Sequence, residues 1–173
     1  MIRAAEPPPP APVRALVALG ANLGDARATL RAAGEALVRL PSTQVLARSA
    51  LYRTAPVEAA GPDFYNAVVS LKTELTALGL LDALQAIEND FGRQRSYRNA
   101  PRTLDLDVLT YGVEPLHSDR LILPHPRLHQ RAFVLWPLLD VAPDLIIPGM
   151  GPAQDCVSGV ADQVIERVAD TDW

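Results

Sequence analysis

The stretch VRALVALGANLGDARATLRAAGEALVRLP, residues 13–41, contains the two periodicities on which the fold prediction begins. Apolar residues alternate with other residues over 13–19, which predicts a β-strand. The sequence GANLG that follows is typical of a turn, and Asp25 is placed to cap a helix. Leucine and alanine then recur at helical spacing until Pro41, which cannot continue a helix. The stretch therefore predicts a strand, a turn and an amphipathic helix.

Outward from this stretch, strand and helix patterns follow in an order that indicates a fold class. Three segments have the apolar pattern of strands: 45–53, 65–73 and 103–111. Three have helical spacing: 76–92, beginning at Thr76 and ending at Gly92, then 125–139 and 155–169. The order βαββαβ with extra C-terminal helices predicts an α+β, ferredoxin-like fold. We expect an antiparallel sheet with helices on one face, which leaves the other face free to build a site.

Composition indicates one folded domain. The 173 residues fall within the ~100–200 residues typical of a domain. We expect residues 13–173 to form a single catalytic domain behind a Pro-rich disordered tail over 1–12. The lone cysteine, Cys156, excludes a disulfide framework, and no apolar run reaches the ~20 residues of a membrane helix. With no secretory signal and a net charge of −4, we expect a cytoplasmic monomer that binds neither nucleic acid nor membrane.

Two carboxylates stand close together in the last predicted strand. Asp105 and Asp107 are two residues apart, and strand side chains alternate between faces, so both carboxylates point the same way. They repel each other unless a cation lies between them, and Mg²⁺ binds through one or two carboxylates plus substrate phosphates. On its own this pair favours the alternative of a solvated strand face paired with arginines.

An arginine-rich segment, RQRSYRNAPR at 93–102, runs directly into that strand. The planar fork of arginine grips phosphate oxygens in pairs. Lys72 is the sole lysine and no phosphate-binding G-x-x-x-x-G-K-[ST] motif is present, so a phosphate site must use arginine, backbone N–H groups or a metal. Arginines beside paired carboxylates favour a phosphoryl-transfer site over a solvated basic loop.

Other residues could line a ligand site, although each has a structural explanation as well. His125 lies between two prolines and could hydrogen-bond a phosphate or a leaving oxygen, but a lone histidine is more often structural. Gln85 and Glu88 share a helix face that could equally be a solvated surface. Phe64 and Phe133 could enclose a flat heterocycle, or both could belong to the core.

With these residues assembled, the chain resembles the 6-hydroxymethyl-7,8-dihydropterin pyrophosphokinase family from about Val17 to Pro148. PRTLDLD together with PHPR is the most specific part of the resemblance. The matching segments, in the family's order, are ALGANLGD (18–25), LYRTAPV (51–57), PDFYNAVVSL (62–71), the Q-x-I-E run (85–88), GRQR (92–95), PRTLDLDVL (101–109) and LPHPRLHQRAFVLWPL (123–138).

The resemblance implies transfer of pyrophosphate from ATP to the hydroxymethyl group of the pterin in folate biosynthesis, giving AMP and the pterin pyrophosphate. It implies two Mg²⁺ ions, with ATP as co-substrate, on Asp105 and Asp107. The residues implied to assist transfer are Arg93 and Arg102, with Arg95 near them. Those implied to line the ATP site are Gln85, Glu88, His125, Arg131 and Arg120. Those implied to contact the pterin are Thr54, Ala55, Val57, Phe64, Asn66 and Phe133, with the two phenylalanines stacking on its faces.

The chain also departs from the family pattern. Asn99 and Ala100 stand where a common form of the family has Trp-Gly, so closure of the arginine-rich loop is expected to differ. Ala55 stands where members often carry a first of two prolines.

Three other functions fit parts of the sequence. A metal-dependent phosphohydrolase could use the same aspartates without a pterin acceptor. A single-stranded nucleic-acid binding module on the same fold would need exposed aromatic residues and a basic face. A catalytically inactive relative would bind the ligands without turnover.

Overall fold

The computed structural model describes residues 11–56, 61–92, 104–169 and 173. Val57, the arginines at 93–102 and most of the proline-rich tail lie outside the described residues. The helices are α1 (Ala26–Val38), α2 (Ala77–Asp90) and α3 (Ala132–Val141), with 3₁₀ helices at Leu128–Gln130 and Ala153–Val160. The strands of the main sheet are β1 (Val13–Ala21), β2 (Thr43–Arg48), β3 (Leu51–Thr54), β4 (Phe64–Thr73), β5 (Asp105–Tyr111) and β10 (Glu166–Ala169). Short pairs form from β6 (Leu116–His117) with β7 (Ile122–Leu123), and from β8 (Ile146–Ile147) with β9 (Gly151–Pro152).

The main sheet is antiparallel throughout its described pairings. Its order is β10-β3-β4-β1-β5. β2 also pairs with β4, along residues 69–73, whereas β3 pairs with residues 64–66 of the same strand. β5 lies at one end of this order, where Gly20 of β1 is opposite Asp105 and Ala18 is opposite Asp107. The carboxylate pair therefore lies on a strand that has a neighbouring strand on one side.

The strand expected over 45–53 is interrupted in the structure. The Ser49 N–H donates to the Val68 carbonyl, and the Val68 N–H donates to Ser49 Oγ instead of to a backbone carbonyl. Because the serine hydroxyl takes the place of a backbone carbonyl as acceptor, the regular hydrogen bonding between the strands is interrupted here. β2 and β3 are therefore separate strands, and both pair with β4.

Helices cover both faces of the sheet, which corrects the expectation of helices on one face. One core lies beneath α1 and α2 and includes Leu19, Leu30 and Leu84. A second core lies beneath α3, where Leu16 and Leu109 face the opposite side of the sheet. The sequence signal for this second layer is the run of successive apolar residues over 15–17, all of which are buried in the structure. A strand that is covered on both faces is apolar at successive positions.

Local capping signals are confirmed. The Asp25 carboxylate accepts the Ala28 N–H at 3.1 Å at the start of α1. Thr76 Oγ1 accepts the Gly79 N–H at 3.0 Å at the start of α2, and Gly92 has a positive φ after its end. Each cap satisfies an N–H group that has no partner inside its helix.

The C-terminal helices are shorter than predicted. The segment predicted as a helix over 125–139 is a 3₁₀ turn followed by α3, because Arg131 between them is extended. The helix predicted over 155–169 is wrong beyond residue 160, since the chain turns there and forms β10 against β3. Val164, one of the valines at helical spacing in that segment, is 90% exposed. Valine is β-branched and is therefore favoured in strands. Pairing with β3 stabilises residues 166–169 as a strand rather than as the predicted helix.

No helix in the described ranges combines the length and apolarity needed to cross a membrane.

Candidate active site

Two cavities meet at β5. The first, which we call the α2 cavity, has a volume of about 390 Å³ and is lined by α2 residues, by the segment 118–122 and by Pro126. The second, the α3 cavity, has a volume of about 790 Å³ and lies among the ends of β3 and β4, the start of α3 and residues 163–164. Asp105, Asp107 and His125 line both cavities. A ligand in one cavity would therefore contact the same three side chains as a ligand in the other.

The two aspartates lie on the same face of β5, as their spacing predicts. Both are half-buried, whereas Leu106 between them is buried in the core beneath α2. Paired carboxylates beside a cavity offer the hard oxygen ligands that Mg²⁺ prefers. Within the described ranges there is no cluster of three or more metal-ligating residues. A cation held here would therefore take further ligands from a substrate or from water.

Glu88 lines the α2 cavity, but its carboxylate is turned toward the backbone of β5. The side chain is buried, and Oε2 accepts the Leu106 N–H at 3.2 Å. This bond occupies the outer edge of β5 between the two aspartates. The structure thus gives Glu88 a contact that the sequence analysis did not predict, and contact with a nucleotide remains a prediction.

Arg120 and Gln85 lie together at the rim of the α2 cavity. The Arg120 guanidinium donates to the Asp82 carboxylate and to Gln85 Oε1, the latter at 3.4 Å. Ser118 and Leu121 close the turn that carries Arg120, through hydrogen bonds of 3.0 Å. An exposed cation is therefore held beside the cavity that also contains the paired carboxylates.

His125 is fixed at the junction of the cavities. Its backbone N–H donates to the Leu109 carbonyl at 2.9 Å, and its Nδ1 accepts the Arg127 N–H at 3.1 Å. Burial lowers the pKa of the imidazole, and the charges of Arg131 and Arg127 lower that pKa further, although Asp105 acts in the opposite direction. With Nδ1 as an acceptor, the neutral ring carries its proton on Nε2 and can donate it to a ligand oxygen.

The α3 cavity brings together the remaining described residues of the predicted pterin set: Thr54, Ala55, Phe64, Asn66 and Phe133. The buried Asn66 amide donates to Thr54 Oγ1 at 3.4 Å, which joins the ends of β4 and β3. A Cβ at Gly20 would lie 3.0 Å from Asn66 Oδ1, so glycine leaves room for this amide. The predicted Val57 contact lies outside the described residues.

Phe64 and Phe133 are half-buried on the wall of this cavity. The Arg131 guanidinium lies 5.4 Å from the centre of the Phe133 ring, a cation–π distance. Two aromatic rings, a buried amide and a hydroxyl suit a flat heterocycle with polar edges.

Several residues near the site were missed by the sequence analysis. Gln163, Val164, Gln130 and Arg127 line the α3 cavity. Asn22 is buried, and its amide donates to the Pro62 carbonyl at 3.3 Å, in the segment that leads to Phe64. Asn22 and Arg127 had local signals, in the GANLG turn and in the PHPR motif respectively.

An antiparallel sheet covered by helices on both faces is an α+β arrangement, and here it places a carboxylate pair on a wall that two cavities share. The family model described as 7,8-dihydro-6-hydroxymethylpterin-pyrophosphokinase (HPPK) matches residues 16–143. The chain belongs to this family, and the resemblance stated from its motifs is confirmed.

Relatives and solved structures agree with this assignment. The 2-amino-4-hydroxy-6-hydroxymethyldihydropteridine pyrophosphokinase of Pseudomonas aeruginosa is 46% identical over 156 residues, covering 90% of this chain and 96% of the relative. The enzyme of the same name from Haemophilus influenzae is 42% identical over 151 residues, covering 87% and 94%. A crystal structure of a Plasmodium falciparum HPPK-DHPS triple mutant has a TM-score of 0.71 at 15% identity, covering 91% of this chain and 45% of that one. This structural likeness concerns the fold alone, and the chain spans under half of that longer protein.

Proposed function

We propose that the α2 cavity binds ATP, that the α3 cavity binds the pterin, and that the β5 carboxylates hold Mg²⁺ between them. As a member of its family, the chain is an ATP-dependent pyrophosphokinase of folate biosynthesis. It transfers pyrophosphate from ATP to the hydroxymethyl group of 6-hydroxymethyl-7,8-dihydropterin and leaves AMP. The observation that carries the site assignment is the wall of Asp105, Asp107 and His125 shared by both cavities.

Asp105 and Asp107 would hold the two Mg²⁺ ions that the family resemblance implies, and these ions would reduce the charge of the triphosphate. Both carboxylates would meet the ions from a strand that β1 supports on one side and the Glu88 bond supports on the other. Mg²⁺ bound by only one or two protein carboxylates can take its remaining ligands from substrate phosphates, which suits a site for a triphosphate substrate.

The residues around the metal site supply fixed hydrogen-bond donors and positive charge. His125 Nε2–H is placed to donate to a phosphate oxygen, and Arg120 and Gln85 line the nucleotide side. Arg131, which the resemblance assigns to the ATP site, lines the α3 cavity and would add positive charge to the phosphates from that side. We assign Arg93, Arg102 and Arg95 to the transferring phosphates, as the family resemblance implies. Donors already in place when charge develops stabilise a phosphoryl-transfer transition state.

The acceptor is held by stacking and edge recognition. Phe64 and Phe133 would stack on the pterin, while Asn66, Thr54, Ala55 and Val57 would contact its edge. The hydroxymethyl oxygen then attacks the β-phosphorus and loses its proton to solvent, while the bond from that phosphorus to the oxygen bridging it to the α-phosphorus breaks and AMP leaves with that oxygen. Holding both reactants beside one strand makes the attack effectively intramolecular.

The same proposal includes the organisation of the chain. We assign residues 13–173 to one catalytic domain of ferredoxin-like type, supported by the order β3-β4-β1-β5 within the antiparallel sheet. We also propose a cytoplasmic monomer with two small-molecule substrates and no nucleic-acid or membrane partner.

A nucleotide product assay tests the proposal. The purified protein is mixed with ATP, Mg²⁺ and 6-hydroxymethyl-7,8-dihydropterin, and AMP is separated from ADP. AMP that forms only with the pterin and disappears on chelation of the metal supports it. ADP formed with the pterin would indicate a simple kinase, and either nucleotide formed without pterin would indicate the phosphohydrolase. Binding of both ligands without turnover would indicate an inactive relative.

A further inference from the structure

The segment 161–166 runs from the end of the last 3₁₀ helix to the first residue of β10, and two of its residues line the α3 cavity. The Gln163 N–H donates to the Val160 carbonyl at 3.0 Å, and this turn brings Gln163 and Val164 onto the cavity wall. Val164 is almost fully exposed there. The segment therefore contributes to the cavity although it is remote in sequence from every predicted site residue.

The Gln163 side chain bonds the backbone on both sides of the break before α3. Its Oε1 accepts the Ala132 N–H at 2.9 Å, and its Nε2 donates to the Gln130 carbonyl at 2.8 Å. Ala132 is the first residue of α3, and Arg131, the residue before it, makes no side-chain cap. Gln163, which is distant from α3 in the sequence, thus supplies the N-terminal cap that the side chain of Arg131 does not provide.

The last residue of the same segment contacts β3, which also carries the cavity residue Thr54. Glu166 forms an exposed ion pair with Arg53 of β3. Arg53 Nε also lies 3.9 Å from the Asp63 carboxylate, which directly precedes Phe64. One short segment therefore contacts the backbone beside Phe133 and, through Arg53, the residue beside Phe64.

We propose that Gln163 is a positioning residue for pterin binding, an inference that rests on the assignment of the α3 cavity to the pterin. By capping Ala132, Gln163 fixes the start of α3 and with it the Phe133 ring, and the Glu166–Arg53 pair anchors the segment on the side of Phe64. The segment thereby links the positions of the two rings. Stacking on a ligand between them depends steeply on their separation, because dispersion contacts are lost when a gap opens.

The test uses Gln163→Met, which keeps side-chain length and removes both hydrogen bonds. Gln163→Glu keeps the acceptor for Ala132 and removes the donor to Gln130. Gln154→Met is the matched control, since Gln154 is exposed on the preceding 3₁₀ helix and lies away from both cavities. Steady-state kinetics and calorimetric titration with the pterin and with a nonhydrolysable ATP analogue are measured for the full chain.

We expect Gln163→Met to raise the KM and Kd for the pterin about 5- to 10-fold, which is the lower end of what the loss of two hydrogen bonds corresponds to, with the ATP values changed less than about twofold. Gln163→Glu should recover part of the pterin affinity, because an acceptor at a helix N-terminus is retained. Gln154→Met should behave as the unmodified protein.

A second comparison separates positioning from a merely structural role. Added to Phe133→Ala, Gln163→Met should cause no further loss of pterin affinity, because the ring that it positions is gone. Equal losses for ATP and pterin, or a lower melting temperature with unchanged pterin affinity, would overturn the inference. If Phe133→Ala itself leaves pterin affinity unchanged, the assignment of the α3 cavity fails. If only Gln163→Met is without effect, the positioning role alone fails.

Discussion

Substitution of Glu88 tests whether this residue contacts ATP or instead stabilises β5, the strand that carries the proposed metal ligands. Its carboxylate is buried and accepts the Leu106 N–H at 3.2 Å. Leu106 lies between Asp105 and Asp107, and β1 pairs with β5 from the other side. Loss of the acceptor should therefore destabilise the fold and displace the two carboxylates together.

The magnitude follows from the desolvated N–H group. Glu88→Met removes the acceptor, and leaving a buried donor unsatisfied costs about 1–3 kcal/mol. Each kcal/mol lowers the melting temperature of a domain of 150–250 residues by about 2–4 °C, which gives a fall of about 2–12 °C. Glu88→Gln retains an amide oxygen as acceptor, so its melting temperature should fall less.

Thermal unfolding and Mg²⁺ titration of activity measure the two effects. We expect Glu88→Met to raise the Mg²⁺ concentration at half-maximal velocity, because Asp105 and Asp107 no longer meet the metal in a fixed arrangement. Asn89→Met, at the exposed neighbouring position of α2, controls for the change of side chain. If Glu88→Gln and Glu88→Met lose ATP affinity equally and neither changes the melting temperature, Glu88 acts on the nucleotide through its charge and the positioning role is refuted.

Four further substitutions test other parts of the structure. Asp105→Asn and Asp107→Asn should each lower kcat at least about 100-fold, since each removes a carboxylate from the metal site, and near-normal rates in a Mg²⁺ titration would contradict the metal assignment. Phe133→Ala should weaken pterin binding about tenfold in calorimetry while ATP affinity stays within about twofold, and an effect on ATP alone would contradict stacking. Tyr52→Phe removes the 2.8 Å bond to the Asp140 carboxylate that joins β3 to α3, and urea unfolding should show a loss of about 1.5–3 kcal/mol, whereas an unchanged midpoint would contradict that contribution.

The parts of the fold that could be predicted are those decided by neighbouring residues. The first strand, α1 and α2 follow from short periodicities, and the caps at Asp25 and Thr76 bond groups three residues away. β5 is likewise an unbroken local pattern, so the shared face of Asp105 and Asp107 followed from their spacing. Such elements depend on residues within one or two turns of the chain.

The parts that could not be predicted depend on partners far along the chain. Valines at 157, 160, 164 and 168 have helical spacing, yet residues 166–169 form a strand because the edge of β3 is available to pair with them. The second helical layer was missed for a related reason. A helix as apolar as α3 gives no signal about which face of the sheet it covers.

The same distinction applies to the candidate site. Residue types in local motifs predicted the carboxylate pair, the histidine and the aromatic rings, and the structure places all of their described members on the two cavities. The contacts that hold them were not predictable, because Glu88 reaches Leu106 and Gln163 reaches Ala132 only after the chain has folded.

The shared wall also explains why one strand can serve both substrates. Asp105, Asp107 and His125 face each cavity, whereas Gln85 lines only the α2 cavity and Phe133 only the α3 cavity. In the proposed assignment, residues that line only one cavity would determine which ligand binds there. The two ligands would meet at the residues that line both cavities. Phosphoryl transfer needs the attacking oxygen and the phosphorus within contact distance, so under the proposed assignment of the two cavities the reaction centre would lie beside β5. The support that β1 and Glu88 give to that strand would then be part of the catalytic arrangement.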